Sequence, residues 1–136
     1  MKVLKFGGSS VATPQRILSI VEILKSYEAK GEQFAVVFSA FGGVTDMLLN
    51  MSDKAEKGDK SYLEDLEQFK NRHLEAIGTL LSGELLAEAK DAVKVGFKEL
   101  KNLLQGIFLL QEASVRSMDY VVSFGERNSA FIIAKA

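Results

Sequence analysis

The chain has no cysteine, so neither a disulfide nor a thiolate metal site can belong to its design, and a reducing compartment is compatible with it. It has almost no net charge: 17 Lys and Arg against 18 Asp and Glu leave −1, which offers no basic excess to attract nucleic acid or an anionic membrane. It has no long apolar run, and nothing approaches the ~20 residues a membrane-spanning helix needs. The N-terminus does not read as a signal peptide, because its apolar run is only Val3–Leu4 before Lys5 interrupts it. Proline-rich linkers, low-complexity tracts and internal repeats are absent too. Together these features make the cytoplasm the expected setting.

What is present is an ordinary globular composition, 47% apolar and 26% charged over 136 residues, enough for one domain or part of one. The most informative stretch is the opening, Lys2 to Ser10. A short apolar run ends in Lys5-Phe6, and Gly7-Gly8-Ser9-Ser10 follows. A strand running into a loop with so little side-chain bulk lets backbone N–H groups approach an anion, with a lysine at the edge, and this suits phosphate. The pattern is no Walker loop, since the lysine precedes the glycines, and there is no Gly-x-Gly-x-x-Gly fingerprint.

Residues 2–6 read as a strand. Thr13-Pro14 reads as an N-cap followed by proline at the first helical position, Ile17, Ile20, Val21 and Leu24 recur at helical spacing, and Gly31 ends the helix. Phe34–Phe38 is continuously apolar and too short for a helix, which predicts a strand buried on both faces. Strand, helix and strand make a βαβ unit with a parallel sheet. Ser39–Asp46 forms a second small-residue loop, leading into a helix over Met47–Met51. Lys57-Gly58-Asp59-Lys60 breaks it, and residues 61–105, capped by Ser61 and broken at Ser82-Gly83, read as an inserted helical hairpin. Asp119–Phe124 reads as a third strand, turned by Gly125-Glu126 into a helix over Arg127–Ala136. The fold class is therefore α/β with a mainly parallel sheet. Three strands are few for a sheet covered on both faces, and no helix-stop signal precedes Ala136, so the natural protein is expected to continue beyond it.

Ligands of open parallel sheets bind at the carboxyl ends of the strands. Three loops are expected there: Lys5, Gly7, Gly8, Ser9 and Ser10; then Ser39, Gly42, Gly43, Thr45 and Asp46; then Ser123, Gly125, Glu126 and Arg127. Each has a plain structural alternative. The Gly-Gly pairs can be simple turns, Ser39 and Thr45 helix caps, and Glu126 a first-turn carboxylate favoured by the helix dipole. Lys5 at the end of a buried strand needs a partner or a cleft. His73, among Lys70, Asn71, Arg72 and Glu75, reads as a solvated surface residue.

Lys5-Phe6-Gly7-Gly8-Ser9-Ser10 resembles the signature that opens aspartokinases. Phe38-Ser39-Ala40 with Gly43-Val44-Thr45 is similar to their second motif, and Ser123-Phe124-Gly125-Glu126-Arg127 to their third. The order and spacing agree along the whole chain, which resembles the N-terminal part of the kinase domain. Leu103-Leu104-Gln105-Gly106-Ile107 resembles the form fused to homoserine dehydrogenase. Phe41-Gly42 and Asn128 depart from the family pattern, which has small and apolar residues there.

The resemblance implies an amino acid kinase fold, an αβα sandwich. It implies residues 1–136 as the amino-acid-binding portion, with the nucleotide-binding half beyond it and the fragment inactive alone. The implied reaction is phosphorylation of the side-chain carboxylate of L-aspartate by ATP with Mg²⁺, in a homo-oligomeric enzyme that opens lysine, threonine and methionine biosynthesis. Lys5 would neutralise the transferring phosphoryl group, Gly7, Gly8 and Ser9 would bind its oxygens, Ser39 and Thr45 would hydrogen-bond aspartate, and Glu126 would pair with its α-ammonium. Another amino acid kinase or a non-catalytic anion-binding module are the alternatives.

Overall fold

The computed structural model describes all 136 residues. Strand β1 (Lys2–Phe6) leads through the first loop to α1 (Pro14–Ala29), then to β2 (Phe34–Phe38). The strands pair in parallel with Lys2 opposite Phe34 and Phe6 opposite Phe38, so the βαβ unit is as the sequence predicts. The local signals act as read. Thr13 accepts a hydrogen bond from Arg16 N–H at 3.3 Å at the start of α1. Gly31, with φ of +67°, ends the helix turn and donates its N–H to Glu28 O at 2.9 Å.

Four helices follow: α2 (Val44–Glu56), α3 (Tyr62–Leu80), α4 (Gly83–Leu110) and α5 (Val115–Lys135). Helix α2 is their hub and packs on α3, α4 and α5, while α1 leans on α3, and α5 also reaches β2. Leu48 and Met51 of α2, Phe69 and Ile77 of α3, Leu100 and Leu104 of α4, and Phe124 and Ile132 of α5 are fully buried in one continuous core. The predicted hairpin is α3 and α4, with α4 running on past residue 105 to Leu110. Gly58, at φ of +73°, ends α2 as expected. Ser61 makes no side-chain cap; instead Asp59 Oδ1 accepts the Ser61 N–H at 2.8 Å.

Two expectations about the sheet are corrected. Asp119–Phe124 is not a strand but part of α5. Its Tyr-Val-Val-x-Phe content favours strand locally, but Val121, Phe124, Asn128 and Ile132 recur at helical spacing and face the core together. The sheet therefore has two strands, not three. Nor is β2 buried on both faces. Leu4, Phe6, Phe34, Val36 and Phe38 point to the helices, with Phe6 and Phe38 stacked at 5.8 Å, whereas Val3, Lys5, Ala35 and Val37 share an open face. Val3 is 65% and Val37 50% exposed. The fold is α/β, with one helical layer against a parallel pair of strands.

Candidate functional site

The first two loops meet backbone to backbone. A Cβ on Gly42 would lie 3.0 Å from Ala12 Cβ and 3.2 Å from Gly8 O, and one on Gly8 would lie 3.6 Å from Ala40 O. At Gly42 the approach is tight enough that a side chain there would have to push its neighbours aside, whereas at Gly8 a Cβ would make an ordinary contact. In the first loop, Gly7 O accepts from Ser10 and Val11 N–H at 2.9 and 3.2 Å, and Arg16 donates to Ser9 O. The N–H groups of Gly8 and Ser9 take no partner in the chain and remain available to a ligand. Gly7 and Gly8 are half-buried and Ser9 is exposed.

The second loop continues the strand ladder, because Ser39 N–H donates to Phe6 O at 3.0 Å. It then turns at Phe41–Val44, where Val44 N–H donates to Phe41 O at 2.9 Å and Gly43 adopts φ of +80°. Gly43 is the residue before α2 and offers no side-chain cap. Thr45, half-buried in the first turn of α2, and Asp46 beside it therefore have N–H groups without a partner in the chain. Neither Ser39 nor Thr45 makes a capping bond.

The third motif reaches the same place by a different route from the one its sequence suggests. Gly125 lies inside α5, not in a turn. A Cβ there would come within 2.8 Å of Ala40 Cβ, 3.3 Å of Val44 Cγ1 and 3.4 Å of Leu48 Cδ1. Helix α5 thus crosses directly over the second loop, with Ser39 and Glu126 each one residue from this contact. Glu126 is exposed and well inside the helix, so a dipole role in a first turn is ruled out. Arg127, next to it, sits over the rings of Phe124 and Tyr120, 4.9 and 5.8 Å from their centroids.

Lys5 lies on the open face of the sheet, exposed, and not at the end of a strand buried on both sides. Its ammonium makes no ion pair within the chain. A cleft of about 560 Å³ opens at the α4–α5 turn, lined by Leu103, Ser114, Arg116, Asp119, Tyr120 and Ser123, so of the three motifs only the first residue of the third borders it. No cluster of three or more His, Cys, Asp or Glu side chains is present.

Sequence reasoning misplaced His73. It is wholly buried, its ring stacked 5.2 Å from Phe41 at 23° and in contact with Phe69 and Phe97. Nδ1 donates to Phe69 O at 2.7 Å, while Nε2 is buried without a partner. Burial lowers its pKa from 6.5 to about 4, so the ring is neutral at pH 7. The signal was present in the spacing: His73 stands four residues from both Phe69 and Ile77.

The family model for the amino acid kinase family matches residues 1–136. The chain belongs to the amino acid kinase family. Among relatives in that family, it is 34% identical over 134 residues to the chloroplastic bifunctional aspartokinase/homoserine dehydrogenase 1 of Zea mays, covering 98% of this chain and 14% of that protein. It is 33% identical to chloroplastic aspartokinase 1 of Arabidopsis thaliana, covering 97% of this chain and 22% of that one. The chain thus spans less than a quarter of the length of these two relatives. Its fold matches E. coli aspartokinase III, solved with lysine and aspartate, at a TM-score of 0.80 and 22% identity over 99% of this chain and 28% of that one. The same enzyme solved with aspartate and ADP also matches at 0.80, with 24% identity. No helix of this chain is long and apolar enough to cross a membrane.

Proposed function

We propose that residues 1–136 form the amino-acid-binding portion of an aspartate kinase, which transfers the γ-phosphoryl group of ATP to the side-chain carboxylate of L-aspartate. The observation that supports this reading is the close approach of three separate segments, Gly42 to Gly8 and Gly125 to Ala40, with N–H groups in the first two loops that take no partner in the chain. The nucleotide-binding half, the other layer of the αβα sandwich, the homo-oligomeric state and the cytoplasmic setting belong to the same proposal.

The chemistry follows from charge. The β-carboxylate of aspartate is ionised at pH 7 and attacks phosphorus without a general base. The difficulty is bringing two anions together and holding them in line. Lys5 neutralises the phosphoryl oxygens as charge moves onto them, and the free N–H groups of Gly8 and Ser9 add fixed dipoles there, with Gly7 keeping the turn open. Ser39, Thr45 and the start of α2 hold a carboxylate of aspartate. Glu126 binds the α-ammonium and repels a substrate turned the wrong way round.

The test joins this chain to a nucleotide-binding half and follows ADP release with a panel of acids. Aspartate is expected to support turnover far better than glutamate or succinate. Equal turnover with succinate, which lacks the α-ammonium, would remove Glu126 from its assigned role. Absence of turnover with every acid, in a folded protein that still binds ATP, would overturn the kinase reading.

A further inference from the structure

We infer that Arg72, seated beside the Phe41–His73 stack, is a positioning residue for the amino-acid site. It holds the Gly42 carbonyl so that the first turn of α2 stays open to a ligand carboxylate. This rests on the functional reading just given, and adds to it a residue on a helix that none of the three motifs includes.

Three observations converge. First, Arg72 Nη2 donates to Gly42 O, across thirty residues of chain. Gly42 O is the carbonyl that the N–H of Thr45 or Asp46 would meet in a tightened or extended first turn of α2. With that oxygen turned to the guanidinium, both N–H groups stay unpartnered. Second, Arg72 cannot drift. The next residue, His73, is wholly buried with Nδ1 tied to Phe69 O, and its flat ring is stacked on Phe41, the residue before Gly42. Helix α3 therefore grips the loop at two consecutive residues. Third, the loop cannot relax toward the other side. A Cβ on Gly42 would already lie 3.0 Å from Ala12 Cβ and 3.2 Å from Gly8 O. Arg72 is half-buried and makes no ion pair within the chain, so its hydrogen-bonding capacity goes to this carbonyl.

Arg72 touches neither reacting atom, so its removal should weaken aspartate binding without slowing the chemical step in the same measure. In the kinase carrying this segment, Arg72→Ala is expected to raise the KM for aspartate at least fivefold, with the KM for ATP and kcat changed less than twofold. Arg72→Lys, which keeps one donor, should recover part of the loss. Amide exchange, read by NMR, should be at least tenfold slower in Arg72→Ala at Thr45 and Asp46, whose N–H groups gain the released Gly42 carbonyl as a partner, and unchanged at Leu100. Unchanged exchange at Thr45 and Asp46, or equal losses for aspartate and ATP, would overturn the inference. If the wild-type protein binds no aspartate, the functional reading fails, whereas the exchange comparison still decides whether Arg72 sets the loop.

Discussion

Gly125 of α5 and Ala40 of the second loop are packed so closely that a methyl group on the glycine would lie 2.8 Å from the alanine Cβ. A helix and a loop from distant parts of the chain are thereby locked at the residue next to Ser39 on one side and Glu126 on the other. The glycine is costly for a helix interior, and its packing explains its presence.

Two glycine substitutions in helix interiors should therefore have opposite signs. Gly125→Ala gains roughly 1 kcal/mol in helix propensity but must displace Ala40, Val44 or Leu48, for which overpacking costs about 1–3 kcal/mol. A net loss of about 1 kcal/mol is expected, with aspartate affinity falling alongside it. Gly106→Ala in α4, where a Cβ meets nothing within 4 Å, should stabilise by about 0.5–1 kcal/mol. Urea denaturation of both variants decides the matter, and equal effects would sink the packing argument.

Stability should fall with acid in a window set by His73. Its folded pKa is depressed to about 4, below the ordinary 6.5, so the unfolded chain takes up the proton first. The contribution is complete above pH 6.5, declines as the pH falls toward 4, and amounts to about 3 kcal/mol. Asp59, held below its ordinary 3.8 by the Ser61 N–H, acts only at still lower pH. Denaturation midpoints between pH 7.5 and 4.5 should fall steeply in the wild type and much less in His73→Leu.

Lys5 should matter to the chemical step and little to folding. It is exposed on the open face of the sheet and makes no ion pair within the chain, so Lys5→Ala is expected to shift stability by less than about 0.5 kcal/mol. In the assembled kinase the same change should lower kcat by about 100-fold or more, as loss of a preorganised electrostatic group does. Steady-state kinetics set beside a thermal melt separates the two effects.

The near contact between the first two loops predicts a coupled defect. Gly42→Ala places a methyl group 3.0 Å from Ala12 Cβ and 3.2 Å from Gly8 O, so the second loop can accept it only by pushing the first. Chemical-shift changes are expected at Gly8 and Ser9 as well as around position 42, with weaker binding of both aspartate and nucleotide. Shifts confined to residues 40–45 would contradict this coupling.

Much of the architecture could be read directly. Thr13-Pro14, Gly31 and the apolar Phe34–Phe38 run define the βαβ unit because each acts through local backbone chemistry. Gly58 and Ser82-Gly83 mark the helix breaks for the same reason. The segment 119–124 misled because three adjacent strand-favouring residues, Tyr120, Val121 and Val122, outweighed a helical stripe interrupted by Gly125, Asn128 and Ser129. That stripe declares itself only once α2 supplies the surface it packs against. All three motifs were legible as motifs, yet the contact that brings the third to the second was not, since a glycine's value as a close-approach residue depends on its neighbour. His73 was hidden by its polar sequence neighbours, and with it the part α3 plays behind the second loop.

The parallel pairing of β1 and β2 has a kinetic consequence. The strands pair across the single crossover of α1, with Lys2 opposite Phe34, so this unit closes one comparatively short loop. The helical packing is less local, because α2 meets α5, the last element of the chain, and Gly125 meets Ala40. Closing that longer stretch costs more entropy. The βαβ unit should therefore take shape early and α5 dock late. On that order, the first two motifs meet before the third, and Glu126 joins them only as folding finishes.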